Sequence, residues 1–162
     1  MAATKTDWTR GYARQALSDL RAREALVQSN AEKCHRLHYL QMAAEKACKA
    51  HLIAASGHES VKKSHAYIEK TLPLLARHFY SEVAEWEIKQ IKWFAREIQL
   101  LAPACGEGEY REDNSEYPWE DAKGEICIPC EYKFPHLDDG NRAIVRLIRL
   151  IQIAARSYSQ DG

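Results

Sequence analysis

Residues 40–52, LQMAAEKACKAHL, are predicted to be helical, and one side of this helix carries mostly small side chains. On a wheel of about 100° per residue, the apolar side of this helix forms a single narrow face. That face comprises Leu37, Leu40, Ala44, Ala47, Cys48, His51 and Ala55. Because most of these residues are small, a neighbouring helix can approach closely, so the stretch predicts the packing seam of a helical bundle. Glu45 and Lys49, one turn apart, are expected at its rim.

Two long helices are predicted to open the chain. The first starts after the N-cap Asp7 and ends near Gln28. The second opens with a capping box formed by Ser29 and Glu32. It should stop before Gly57, because glycine readily adopts the left-handed conformation that ends helices.

Two further helices are predicted in the middle of the chain. The first follows the cap Ser64, and Pro73 is expected to kink or interrupt it because proline removes a backbone hydrogen bond. The second opens at Ser81, ends before Pro103 and carries apolar residues at alternating spacings of four and three. Its second apolar line consists of Trp86, Trp93 and Leu100. Two apolar lines predict that this helix packs on two sides and lies centrally.

A last helix is predicted after Gly140, with a core line of Ile144, Leu147, Ile151, Ala154 and Tyr158. Residues 103–140 have no helical period, and EICIPCEYKF at 125–134 predicts a short hairpin or an extended arm. The predicted fold is therefore all-α. It is an up-and-down bundle of about five helices in one domain, 1–162, with residues 103–140 as an irregular arm.

Composition favours a soluble globular protein. Apolar residues make up 46% of the 162 residues, and no stretch approaches the length of a transmembrane helix. The N-terminus lacks the apolar core of a signal peptide, and the five cysteines are scattered, so a reduced, cytoplasmic protein is expected. The arm holds eleven Asp/Glu against three Lys/Arg, a net charge of −8, so the rest of the chain carries +8.

Three histidines of the second helix are candidate metal ligands or catalytic bases. Glu32 and His35 form an ExxH element of the kind that di-iron bundles use, but those sites need a second ExxH and the chain has none. His35 and His38 are expected on the polar side of the helix. His51 lies in the packing seam, where a hydrogen-bonded core histidine and a general base are both consistent with the pattern.

Four arginines follow one side of the last helix, opposite its core line, within an arc of about 80° at 100° per residue. They are Arg142, Arg146, Arg149 and Arg156. Such a row can track phosphates, because each guanidinium presents a forked donor. The alternative is a solvated face paired with the acidic residues 107–125 of its own chain or of a dimer mate. The row has no interleaved aromatic residues, so base stacking is not indicated.

Cys127 and Cys130 form a CxxC pair within the arm. Together with Cys105 and His136 they would make a Cys₃His zinc site. A thioredoxin-like redox role requires a βαβ context, which is missing. Incidental cysteines in an extended arm are the third interpretation, and no cofactor is expected.

Four segments of the chain resemble the HEPN superfamily (higher eukaryotes and prokaryotes nucleotide-binding). LQMAAEKACKAHL at 40–52 resembles its second helix and ARQALSDLRAREAL at 13–26 its first. SHAYIEKTLPLL at 64–75 is similar to its HxLxxLL element. SEYPWED at 115–121 falls where many members carry an Arg-Tyr-Pro segment. The resemblance covers roughly residues 8 to 158.

The resemblance implies a small helical bundle that forms homodimers. Many members are encoded with a minimal nucleotidyltransferase as toxin–antitoxin pairs, and active members are metal-independent ribonucleases. Their catalytic signature, an arginine followed after four to six residues by a histidine, is absent at the expected places in this chain. Glu116 occupies the position where the arginine of SEYPWED would be expected.

The leading hypothesis is therefore a catalytically silent binding and dimerisation module. Its expected partners are a nucleotidyltransferase, or a nucleotide or RNA held by the four arginines together with Lys49. Tyr117 and Trp119 are expected to cover a dimer or partner surface. The alternative is a divergent ribonuclease that uses His51 or His65, and a homodimer without a ligand is a third possibility.

Overall fold

The computed structural model describes residues 2–57, 61, 67–103 and 111–160. Its helices are α1 (Lys5–Gln28), α2 (Lys33–Ser56), α3 (Ile68–Phe79), α4 (Glu85–Gln99) and α5 (Arg142–Ser159). In the described residues, the two short strands β1 (Trp119–Glu120) and β2 (Ile126–Cys127) are the only other regular elements. The all-α bundle is thereby confirmed. No helix in these ranges is both long and apolar enough to cross a bilayer.

The start of α1 differs from the prediction by one turn. Thr4 is the N-cap, because its hydroxyl accepts a hydrogen bond from the Asp7 amide while the Asp7 carboxylate accepts one from the Thr4 amide. Asp7 is therefore the third helical residue of a capping box and not the cap itself. Ser29 closes α1 instead of opening α2, since its hydroxyl donates to the carbonyl of Leu26. Glu32 precedes α2 without a side-chain cap.

The central helix of the bundle is α2, which contacts each of the other four helices. Of the predicted seam, the part from Leu37 to Cys48 is buried and forms the packing surface, whereas His51 is half-buried and Ala55 is exposed. The helix ends at Gly57, whose φ of +90° suits glycine. Glu45 does not lie at the rim: it is only 8% exposed, because α1 covers this side of the helix.

Helices α3 and α4 correct three expectations. Helix α3 runs through Pro73 without ending, and its predicted cap Ser64 lies outside the described residues. Helix α4 opens after Ala84, whose amide donates to Glu87, and not at Ser81. Trp86 is 64% exposed and Trp93 is 44% exposed. Helix α4 therefore packs on one side, and the prediction that it lies centrally is wrong.

The arm contains the expected hairpin, which starts earlier than predicted. Strands β1 and β2 pair antiparallel, with Trp119 opposite Cys127. The turn between them is organised by Asp121, whose carboxylate accepts hydrogen bonds from the amides of Lys123 and Glu125. Gly124 has a φ of +80° and supplies the left-handed residue that the turn needs.

Ion pairs fix the end of the arm to the first two helices. Asp139 pairs with both Arg23 of α1 and Arg36 of α2, and Lys33 pairs with Asp138. The side chain of Asn141 then accepts a hydrogen bond from the amide of Ala143 and caps α5. The arm is thus docked on α1 and α2, and α5 starts from a fixed position.

Candidate functional site

The four arginines of α5 form an exposed row. On the opposite side of the helix, Ile144, Leu147 and Ile151 are buried in the core. From Arg142 to Arg156 the row is about 21 Å long, because each helical residue advances 1.5 Å. The amphipathic pattern of α5 therefore presents a line of guanidinium groups to solvent.

One arginine of the row is paired. Arg146 forms an ion pair with Glu87 of α4 and lies over the ring of Tyr80, 5.6 Å from its centroid. Within the described residues, Arg142, Arg149 and Arg156 form no ion pair, so three guanidinium groups are available to an anion.

The described part of the acidic arm does not neutralise this row. Asp138 and Asp139 pair with α1 and α2, as described above, and Glu116 lies beside His38 of α2. The distance from His38 Nδ1 to Glu116 Oε1 is 3.3 Å, an ion-pair distance without hydrogen-bond alignment. Residues 107–110 of the predicted acidic partner lie outside the described residues. In the described residues of the arm, no carboxylate forms an ion pair with the four arginines of α5.

Lys49 does not join the arginine row. Its ammonium group lies 2.6 Å from Glu45 Oε1 and 5.8 Å from the centroid of the Tyr12 ring, and its side chain is 12% exposed. Gln41 donates to the other carboxylate oxygen of Glu45 at 3.1 Å. Lys49 therefore lies in the interface between α1 and α2.

His51 lies in an aromatic cluster where α2, α3 and α5 meet. Its Nδ1 is 2.7 Å from the hydroxyl of Tyr158, and its ring contacts His78 with centroids 5.6 Å apart. Phe79 packs edge-on against Tyr158. Burial, and secondarily the neighbouring His78, lower the pKa of His51 below its usual value near 6.5. A phenol that donates to Nδ1 leaves the proton of a neutral imidazole on Nε2.

The other parts of a catalytic site are not assembled around His51. His65 lies outside the described residues. Arg77 is next to His78 in sequence, but its guanidinium pairs with Glu85 at 3.0 Å. In the described part of the chain, no arginine forms a hydrogen bond or ion pair with His51. The cluster can accept a proton, but among the described residues no cationic side chain forms a hydrogen bond or ion pair with His51.

The candidate zinc ligands do not form a metal-binding group in the described structure. Cys127 is half-buried on β2, Cys130 is exposed in the turn that follows, and neither is in a disulfide. His136 packs instead against Trp93, with ring centroids 5.4 Å apart. Burial and the carboxylates around the hairpin raise the pKa of Cys127, which disfavours a thiolate. Among the described residues, no three His, Cys, Asp or Glu side chains form a group that could hold a metal ion. Cys105 lies outside the described residues.

Tyr117 and Trp119 have different environments. Trp119 is 5% exposed and packs edge-on against Tyr132 at 5.1 Å, so it belongs to the interior of the arm and cannot cover a partner. Tyr117 is 41% exposed. Asn114 holds the segment that leads to Tyr117 by accepting hydrogen bonds from the amides of Glu116 and Tyr117. Of the two, only Tyr117 remains accessible to a partner.

A cavity of about 360 Å³ lies between the end of α4 and the arm. Its polar lining includes Glu97, Arg111, Glu112, Asp113 and His136. Burial and a hydrogen bond that the Tyr132 hydroxyl donates to the Asp113 carboxylate raise the pKa of Tyr132, which also lines the cavity, to about 12. Three carboxylates against one arginine make this cavity unsuitable for a phosphate.

The sequence reasoning missed the outer side of α4. Its exposed residues are Glu85, Trp86, Lys89, Gln90, Lys92, Trp93 and Arg96. The signal was present in the sequence as two tryptophans seven residues apart with cations between and after them. This line of tryptophans predicts a second core face, because aromatic residues at helical spacing more often pack inside.

No protein-family model, curated protein or solved structure matches the chain. The likeness to HEPN proteins therefore rests on the four quoted segments and on the helical architecture alone.

Proposed function

We propose that the chain is a catalytically silent binding module that holds a nucleic acid or nucleotide by its phosphates on α5. The observation that carries the proposal is the exposed row in which Arg142, Arg149 and Arg156 lack carboxylate partners among the described residues. A guanidinium donates two parallel hydrogen bonds to a phosphate, and several in line neutralise successive phosphates.

Two further observations support phosphate as the ligand of this row. Asp138 and Asp139 at the end of the arm pair with Lys33, Arg23 and Arg36 on the first two helices, and no described carboxylate of the arm pairs with the row. Arg146 is held by Glu87 and Tyr80 and keeps the middle of the row in a fixed orientation. A row with ordered spacing loses less entropy on binding than one built of free side chains.

The test is binding of labelled single-stranded RNA, measured by fluorescence anisotropy over a range of salt concentrations. We expect log K to fall linearly with log salt. The triple variant Arg142→Ala, Arg149→Ala, Arg156→Ala should make this slope shallower by about 2, since each lost phosphate contact removes about 0.7.

Arg14 and Arg21 provide the matched control, because both are exposed arginines on α1. Replacing them with alanine removes positive charge from the chain but not from the row, so the slope should stay close to that of the unmodified protein. Equal effects of the two sets of substitutions, or no RNA binding by the unmodified protein, would overturn the proposal.

The resemblance to HEPN proteins adds a homodimer and a minimal nucleotidyltransferase as proposed protein partners. Of Tyr117 and Trp119, which were predicted to cover a dimer or partner surface, Tyr117 is the exposed one. Light scattering of the purified protein, alone and mixed with a nucleotidyltransferase encoded beside it, tests both.

The second candidate function is a divergent, metal-independent ribonuclease. The contact between His51 and His78, with Tyr158 hydrogen-bonded to His51, favours it because paired imidazoles can exchange protons with a 2′-hydroxyl and a leaving oxygen. RNA cleavage in the presence of a chelator, lost in His51→Ala and in His65→Ala, would replace the binding-module proposal with this one.

A further inference from the structure

The outer side of α4 carries two tryptophans that no helix covers. Trp86 is 64% exposed and Trp93 is 44% exposed. The inner side of the same helix is fully used, since Ile88, Ile91, Phe94, Ala95 and Ile98 are all buried. Indole rings contribute a large hydrophobic area, so two of them left in solvent on a well-packed helix point to a ligand.

The two tryptophans alternate with cations along one stripe. Trp86, Lys89, Trp93 and Arg96 follow one another at spacings of three, four and three, which places them on the same side of the helix. The Cα atoms of the two tryptophans are about 10 Å apart along the helix axis, because seven residues advance 1.5 Å each. Lys89, Lys92 and Arg96 are exposed and form no ion pair within the described residues.

Trp93 is held in position by its neighbours. Its ring lies edge-on to Phe94 at 4.7 Å and to His136 of the arm at 5.4 Å between centroids. These edge-to-face contacts fix the indole while leaving much of it open to solvent. A ring that is already oriented loses little entropy when a flat ligand stacks on it.

The stripe borders the arginine row of α5. Glu87, next to Trp86, pairs with Arg146. Gln90 lines a shallow groove together with Ala143 and Arg146, and on the helix surface Gln90 is the neighbour of both tryptophans at spacings of four and three. His136, which contacts Trp93, lies six residues before Arg142. The groove is thus lined by residues of both helices, and on α4 the tryptophan stripe adjoins Gln90, while on α5 the arginine row continues from Arg146.

Charge decides which ligand fits this groove. Two of the carboxylates of α4 are already paired, Glu85 with Arg77 and Glu87 with Arg146, while Glu97 is half-buried at the cavity beside the arm. On α4 and α5, six cations have no carboxylate partner among the described residues: Lys89, Lys92, Arg96, Arg142, Arg149 and Arg156. An apolar protein helix would leave these charges uncompensated, whereas a polyanion with aromatic rings matches both features.

We propose that the groove between α4 and α5 binds single-stranded nucleic acid, with bases stacked on Trp86 and Trp93 and phosphates held by the arginine row. This inference rests on the proposed function of the row and adds selectivity for single strands. Bases in a duplex are stacked on each other and cannot reach an indole on a helix surface, so a duplex engages only the cations. Stacking does not depend on the identity of the base, so little sequence preference is expected.

The test compares a short oligouridine, an RNA duplex of equal length and inorganic polyphosphate, which carries the charge without bases. We expect the variant Trp86→Leu, Trp93→Leu to bind oligouridine at least about 25-fold more weakly, since each stacked base contributes about 1 kcal/mol or more. Binding of the duplex and of polyphosphate should change by less than about twofold, because phosphate contacts remain. Oligouridine should also quench the tryptophan fluorescence of the unmodified protein but not that of the variant.

Trp8→Leu is the matched control, because Trp8 is a 40% exposed tryptophan on α1. Thermal unfolding checks that each variant is folded, as expected for substitutions at exposed positions.

Equal binding of oligouridine and duplex, unaffected by Trp86→Leu and Trp93→Leu but weakened by the arginine substitutions, would overturn this inference while keeping the proposed function. Loss of a dimer in the tryptophan variant with unchanged RNA binding would instead assign the stripe to a protein interface. Absence of salt-dependent binding to all three probes would overturn both proposals.

Discussion

Among individual residues, His51 has the environment that is hardest to infer from sequence. It belongs to the α2 seam, and the seam predicted either a core histidine or a base. The structure gives it a hydrogen-bond partner 107 residues away, Tyr158, and a ring contact with His78. Both contacts depend on where α3 and α5 end, which the spacing of apolar residues does not determine.

The lowered pKa of His51 predicts a pH dependence of stability. When a histidine has a lower pKa in the folded chain than in the unfolded chain, the unfolded chain binds the proton first as the pH falls. The contribution of His51 is therefore complete above the unfolded pKa near 6.5 and is lost as the pH falls below it. We expect His51→Gln, which keeps a hydrogen-bonding group near Tyr158, to lose less stability than the unmodified protein between about pH 7.5 and 5.5.

Urea unfolding of the two proteins at both pH values measures this difference. The remaining histidines are common to the two proteins and cancel in the comparison. If the free energy of unfolding falls by the same amount in both, His51 does not titrate differently in the folded and unfolded chains.

Among the elements, the arm shows most clearly what sequence patterns leave open. A hairpin was predicted from EICIPCEYKF, but its first strand contains Trp119, and the pairing of Trp119 with Cys127 follows from the Asp121 turn. The attachment of the arm depends on Asp139 and on arginines more than 100 residues away in sequence. Periodicity carries no information about such pairs.

The attachment of the arm predicts unequal effects of two adjacent aspartates. Asp139→Ala leaves Arg23, whose side chain is 7% exposed, without its carboxylate partner. Because Asp139 is itself about a quarter exposed, we expect a loss of about 2–3 kcal/mol in the free energy of unfolding, below the 3–5 of a fully buried pair. Asp138→Ala is the control, and its 70% exposed carboxylate should matter by less than about 1 kcal/mol. Equal losses in urea unfolding would show that the paired arginines do not anchor the arm.

Helix α4 shows why the prediction was right about the core side of a helix but wrong about its start and about its other side. The line Ile88, Ile91, Ala95 and Ile98 is buried as expected. The line of Trp86 and Trp93 has the same period, and only the positions of the other helices decide whether such a line is covered. Since α2 occupies the centre of the bundle, α4 lies at its side and its second line faces solvent.

At the scale of the whole molecule, a formal net charge of zero conceals a separation of charge. The sequence predicted this separation, together with the five helices and the arginine row. It did not predict that the end of the acidic arm pairs with α1 and α2, or that α4 brings tryptophans and further cations to the side of α5. Those features arise from tertiary packing between distant segments, so the chemistry of the groove was not visible from any one segment.

The most direct measurement is ultraviolet crosslinking of the purified protein to oligouridine, with the crosslinked residues identified by mass spectrometry. Binding in the groove between α4 and α5 predicts crosslinks at Trp86 and Trp93 and in the arginine-containing peptides of α5, lost when polyphosphate is added in excess. Crosslinks confined to α1, to the arm or to the His51 cluster would contradict the assignment of the nucleic-acid site to this groove.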